Sequence, residues 1–271
     1  MSCRTVALTI CLTTAGLAHA GCSRPIVVPA SPLGKAIIID ERHDTVAGIY
    51  PALLREYGHK AGCEFIFPVV PRVRAEAMVR AGQADLLMGA MKVADRDRWG
   101  DFAPLMASEW MLISMRGDAP PRSVQELLAR PNVTVNAVRS FNDGPAYVAM
   151  LAALDRKKEL EYVKDPATIV RKMAAGRVDY TFMPSNTFAG ALDELGLRKS
   201  LGPRVRYSRL AGIPPALAGM YLSRQLDPRD AAQVAALLDR MRADGAVVVR
   251  MRHFFTPEEM SSSTILPAPV R

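Results

Sequence analysis

The chain has 271 residues, 49% of them hydrophobic and 6% aromatic, with a formal net charge of +8. That apolar share excludes a disordered chain, and the length allows one or two packed domains. The basic residues are dispersed, with no Lys/Arg block interleaved with aromatics, so we expect no nucleic-acid partner.

Residues 1–20 read as a secretory signal peptide. Arg4 supplies the positive start, residues 5–17 are mostly apolar, and Ala18-His19-Ala20 has the small-x-small form of a cleavage site. The apolar run is too short to span a membrane, so cleavage after Ala20 and export are expected. A lipid anchor at Cys22 is the rival reading, although His19 stands where a lipobox has Leu. Cys3 and Cys11 leave with the signal. Cys22 and Cys63 each precede a strand-like segment, residues 25–29 and 64–70. If those strands are parallel neighbours, both thiols lie at one end of the sheet, as a disulfide in an oxidising compartment requires. Two unpaired buried thiols are the alternative.

Further along, residues 26–29 and 36–39 read as strands. Residues 51–61 read as a helix with Pro51 in its first turn and Gly62 at its end. A strand is expected at 65–70, then a helix over 72–81 with Val73, Ala77 and Ala81 on its buried side. Strands at 85–88 and 110–115 follow. A second layer begins with a strand from 133, and Ser140 with Asp143 looks like a capping pair opening a helix through about 155. A short strand at 162–163 leads to Asp165-Pro166, which caps a helix carrying Ile169 and Met173. A strand at 178–183 and a helix over 228–243, capped by Asp227 and stopped by Gly245, complete the regular pattern. Val247-Val248-Val249 has strand propensity. Alternating helices and apolar strands point to α/β layers with largely parallel sheets.

One pattern occurs twice. Ala81-Gly82-Gln83-Ala84-Asp85-Leu86-Leu87 and Ala175-Gly176-Arg177-Val178-Asp179-Tyr180-Thr181 each end a helix at a glycine, place Asp three residues on, and continue as an apolar strand. Two such units far apart suggest two similar lobes, and two-lobed proteins usually work in the cleft between them.

The run Gly82-Gln83-Ala84-Asp85-Leu86-Leu87-Met88-Gly89, with Ala94-Asp95-Arg96, Asp101-Phe102-Ala103-Pro104 and Ala243-Asp244-Gly245, resembles the periplasmic solute-binding proteins of family 3. These are the binding components of amino-acid-type ABC importers. The resemblance implies a two-lobed type II periplasmic-binding-protein-like α/β fold with two chain crossings, near 107–112 and 212–222. Lobe 1 would comprise 21–108 plus 222–260 and lobe 2 would comprise 109–221, with 261–271 a flexible tail. It makes residues 245–255 a final helix. It also implies a periplasmic monomer without cofactor or metal, which carries a small anionic or zwitterionic solute to an ABC permease in the inner membrane.

The resemblance also places a carboxylate-gripping Arg at Arg96, whose planar fork matches two carboxylate oxygens. Met88, Gly89 and Met91 would lie beside it. In the second lobe a helix N-terminus at Arg139-Ser140-Phe141 would face the ligand, with Ser185 and Asn186 offering hydrogen bonds. Several family positions differ. Val93 replaces a Thr, Ala52 replaces an acid, and Pro184 stands where an Asp neutralises the ligand's ammonium. A buried ammonium without an anionic partner is costly, so a small carboxylate with an apolar body suits the chain better than a standard amino acid. Two other functions remain open. One is a dehydratase acting on a cyclic carboxylate, for which Glu76 or Glu109 would be the acids. The other is a ligand sensor for a membrane receptor.

Overall fold

The computed structural model describes residues 21–40, 43–139, 141, 144–261 and 263–264. The expected signal segment, the Ser140/Asp143 capping pair and residues 265–271 lie outside them. The chain starts with β1 (Ile26–Val27), β2 (Ile38–Asp40) and β3 (Thr45–Ala47), then α1 (Ile49–Ala61) and β4 (Phe65–Ile66). It continues through α2 (Arg72–Arg80), β5 (Leu86–Met91), α3 (Ala94–Asp97) and β6 (Gly100–Ser108). β1 and β4 run parallel, with Ile26 opposite Phe65, and this brings the preceding cysteines together. Cys22 and Cys63 form the expected disulfide, their Cα atoms 4.8 Å apart.

The chain then crosses at residues 109–110 into a second sheet. There it forms β7 (Met111–Ser114), α4 (Val124–Ala129), β8 (Val135–Val138), α5 (Pro145–Arg156) and β9 (Leu160–Val163). α6 (Pro166–Ala174), β10 (Tyr180–Met183), α7 (Ser185–Glu194), α8 (Arg198–Leu201) and β11 (Arg206–Arg209) follow. The sheet order is β11-β7-β10-β8-β9. Residues 210–215 return the chain to the first lobe, where β12 (Ala216–Ser223), α9 (Pro228–Ala243), α10 (Ala246–Met251) and β13 (Ser263–Thr264) complete it.

Four expectations change. β12 pairs with both β5 and β6, so the expected lobe boundary at 221/222 falls inside a strand of the first sheet. Nor are the sheets largely parallel: the four-stranded sheet β13-β6-β12-β5 is antiparallel throughout and the five-stranded one is mixed. β12 is antiparallel to both neighbours, and β7 is antiparallel to β10 and β11, while β8, β9 and β10 run parallel. The segment expected to be a flexible tail begins with β13 paired to the edge of β6. On α2 the buried residues are Ala75 and Val79, whereas Val73 is 56% exposed. The helix turns Arg72 toward the cleft and Glu76 toward Arg96, which rotates the expected face away from the core. Val247-Val248-Val249 is helical, within α10.

The twice-used pattern has a common physical basis. Gly82 and Gly176 take φ of +69° and +68°, which L side chains rarely adopt. Each ends its helix in the same pair of bonds: Gly82 N–H to Val79 O and Gln83 N–H to Met78 O, then Gly176 N–H to Met173 O and Arg177 N–H to Lys172 O. The aspartate three residues on then ties the neighbouring strand. Asp85 accepts the Val27 N–H at 2.8 Å and pairs with Arg24 through both oxygens. Asp179 accepts the Thr134 N–H at 2.8 Å and pairs with Arg116. Asp85 is the more deeply buried, its side chain 4% exposed against 22% for Asp179.

Two outcomes follow for urea denaturation. Cys63→Ser should lower the unfolding free energy by about 2–4 kcal/mol, and a reducing agent should destabilise the native protein but not the variant. Asp85→Ala should cost about 2 kcal/mol and Asp179→Ala less, because the more buried carboxylate leaves its partners less water to turn to.

Candidate functional site

Between the two sheets lies a cleft of about 260 Å³. The first lobe contributes Leu33, Tyr50, Met91, Met106 and Met251, and the second contributes Trp110, Val138, Phe141 and Pro184, so most of the wall is apolar. The charged groups on it are Arg72, Arg96, Lys164 and Asp165.

Arg96 stands on α3, lines the cleft, and is 4% exposed. Its fork is already engaged. Nε and Nη2 donate to the two carboxylate oxygens of Glu76 on α2 at 3.2 and 2.9 Å, and Nη1 donates to Met91 O at 3.2 Å. Burial of a guanidinium is tolerable because that carboxylate is opposite it.

Arg72 is a second guanidinium that sequence reasoning missed as a site residue. It is the first residue of α2, a position where the helix dipole disfavours a cation. A bulge in β5 holds it there. Leu87 pairs with Tyr221 and Ala90 with Gly219, which leaves Met88 and Gly89 opposite the single residue Met220. Gly89 makes this possible with φ of +61°, and a Cβ there would lie 2.9 Å from the Leu33 side chain. The bulge presents two adjacent carbonyls to Arg72, whose Nη1 donates to Met88 O at 2.8 Å and Nη2 to Gly89 O at 3.3 Å. Among the described residues Arg72 makes no ion pair. Burial, reinforced by the nearby Arg96 charge, pushes the guanidinium down to about 10, while Glu76 and Tyr50 act the other way. It stays charged at neutral pH. Burial raises the Tyr50 phenol to about 12, so its hydroxyl remains a donor.

The other expected site residues divide. Gly89, Met91 and Asn186 line the cleft. Met88 does not: it is fully buried under the sheet, and only its carbonyl serves the site, through Arg72. Ser185 is also buried away from the cleft, its hydroxyl donating to Glu259 O at 2.7 Å. Arg139 is exposed, with its guanidinium 6.0 Å from the Tyr162 ring centre. The helix expected to open at 139–141 starts at Pro145 with Gly144 as its cap, so no helix N-terminus lies at Arg139. Phe141 nonetheless reaches the cleft wall, and Ser140 lies outside the described residues.

The second lobe supplies one carboxylate to the wall that the sequence reading treated only as a cap. Asp165 accepts the Thr168 N–H at 2.7 Å through Oδ1, and Oδ2 lies 3.7 Å from the Lys164 ammonium. Glu109 lies at the first crossing and pairs with Arg209, at the end of β11, at 2.5 Å. The lobes also touch beside the cleft. A Cβ on Gly190 of α7 would lie 2.9 Å from Lys35 N and 3.0 Å from Gly34 Cα, and Lys35 pairs with Asp193 at 3.6 Å. Among the described residues no group of three His, Cys, Asp or Glu could hold a metal ion, and no helix is long and apolar enough to cross a membrane.

No protein-family model matches the chain, and no curated protein matches it in sequence. Solved structures match it over most of its length. A histidine kinase sensor domain with similarity to periplasmic binding proteins is 21% identical, with a TM-score of 0.69 over 86% of this chain and 96% of that one. The ancestral amino acid-binding protein AncCDT-1, a precursor of cyclohexadienyl dehydratase, is 17% identical, with a TM-score of 0.67 over 86% and 95%. The amino acid ABC transporter substrate-binding protein AbpA from Streptococcus pneumoniae Canada MDR_19A, bound to L-arginine, is 16% identical, with a TM-score of 0.66 over 90% and 97%. At these identities the likeness is one of architecture, and the chain has the two-lobed α/β fold of the periplasmic binding proteins.

Proposed function

We propose that the protein is an exported solute-binding protein that captures a small carboxylate between its lobes and delivers it to an ABC-type permease. The observation that carries this reading is the charge inventory of the lobe 1 wall: two guanidiniums, Arg72 and Arg96, line a mostly apolar cleft, and only Arg96 pairs with a carboxylate, Glu76. A monoanion balances that wall, and the apolar remainder accepts a hydrophobic body. Gly89, Met91, Asn186 and Phe141 complete the proposed contact surface.

A standard amino acid fits less well. Its ammonium needs an anion, and Asp165, the carboxylate that lines the cleft, already accepts the Thr168 N–H and has the Lys164 ammonium beside it, which would repel a second cation. Catalysis is also disfavoured. The two acids considered for a dehydratase, Glu76 and Glu109, are each held in an ion pair with an arginine. The histidine kinase sensor domain of the same fold favours one second reading, in which the loaded protein signals to a membrane receptor. Loss of solute uptake from cells lacking the protein supports transport, and unchanged uptake with a lost transcriptional response supports sensing.

The capture step is tested by thermal unfolding with benzoate, 4-methylpentanoate, L-leucine or L-arginine. A carboxylate present at one hundred times its dissociation constant should add about 2.7 kcal/mol, raising the midpoint by roughly 5–10 °C. The two carboxylates without an ammonium should give that shift and the amino acids little. A shift with the amino acids alone would overturn the preference for a simple carboxylate.

A further inference from the structure

We infer that Arg72, rather than Arg96, grips the carboxylate of the captured solute. This deepens the reading of the cleft as an anion site and rests on it. Both guanidiniums line the same cavity, so their partners decide between them. Arg96 presents its flat Nε/Nη2 edge to Glu76, the bidentate geometry that a ligand carboxylate would need, and its Nη1 is spent on Met91 O. A solute would have to expel Glu76 and leave that carboxylate partly buried without its cation, which is unfavourable.

Arg72 is arranged the other way. Of its five N–H donors two are used, both on neutral carbonyls, and among the described residues no carboxylate pairs with it. Those two bonds, from the bulge at Gly89, fix the plane of the guanidinium without neutralising it. The charge sits at a helix start and beside Arg96, two placements that cost stability unless an anion arrives. The Tyr50 hydroxyl, protonated throughout the neutral range and electrostatically coupled to Arg72, offers a further donor on the same wall. Arg96 and Glu76 then act as a positioning pair. They hold α3 against α2 and contribute no net charge, so the positive charge facing the solute is that of Arg72.

Isothermal titration with benzoate, and with benzamide as its neutral counterpart, tests the assignment. Arg72→Gln should weaken benzoate about 10- to 100-fold and leave benzamide unchanged. Removing the other pair together, Glu76→Gln with Arg96→Gln, preserves the net charge of the wall and, through lost positioning alone, should weaken benzoate at least about threefold less than Arg72→Gln does. Should Arg72→Gln fail to fold by circular dichroism, Arg72→Lys takes its place. It keeps the charge, loses the planar fork, and should still bind benzoate more weakly than the native protein. Benzoate affinity undiminished in the Arg72 variant, or lost equally in the paired variant, overturns the assignment while leaving the anion site intact. Native protein that binds neither benzoate nor benzamide overturns both the assignment and the reading beneath it.

Discussion

Two guanidiniums facing one carboxylate is the constraint around which this cleft is built. Taking a charge from water into an apolar wall is costly, and proteins normally match each buried ion with a partner. Glu76 meets that need for Arg96 with two hydrogen bonds, while Arg72 receives only two backbone carbonyls. The surrounding architecture keeps this imbalance in place. α2 supplies both Arg72 and Glu76 one turn apart, α3 supplies Arg96, and the β5 bulge at Gly89 turns the Met88 and Gly89 carbonyls toward the cation. A strand without the bulge would spend those carbonyls in its own ladder.

The imbalance can be held only if the lobes are firm. Each is braced by the same device, a helix ended at a left-handed glycine and an aspartate that takes a strand N–H while pairing with an arginine. The disulfide adds a covalent tie at the β1/β4 end of the first lobe. Between the lobes, Ser185 donates to Glu259 O, Arg198 pairs with Glu259, and Lys35 pairs with Asp193. Two crossings, at 109–110 and 210–215, are linked by the Glu109–Arg209 ion pair, and Gly34 packs against Gly190 where any side chain would hold the lobes apart. Rigid bodies joined by short crossings suit hinge closure around a solute.

Much of this was legible in the sequence where the cause is local. The glycine positions, the Asp165 and Asp227 caps and the Cys22–Cys63 pairing depend on neighbours a few residues away or on strand order, and each is present. Arg96 was legible as a cleft residue through resemblance. Its partner was not, because nothing in the spacing of Glu76 and Arg96 says that α2 and α3 face each other. Arg72 was hidden by a plausible but rotated helix face: Val73, Ala77 and Ala81 share a stripe, yet the core takes Ala75 and Val79. β12 was obscured because its pairing partners, β5 and β6, lie more than a hundred residues earlier in the chain. Trp110 and Phe141 belong to the cleft only once both crossings are made.

Selectivity in such a site depends as much on the second lobe as on the first. A zwitterionic solute placed with its carboxylate on the lobe 1 wall would turn its ammonium toward α6 and α7. There it would meet Pro184, Asn186 and an Asp165 whose oxygens cap a helix and face Lys164. An ammonium recruited to Asp165 would share a carboxylate that already accepts the Thr168 N–H and would be repelled by the Lys164 ammonium beside it. A solute with an apolar group at that end avoids that repulsion and gains the contact area of Trp110 and Phe141. On the reading proposed, the cleft favours an anion through the charge of Arg72 and disfavours a cationic end through the Lys164 ammonium beside Asp165.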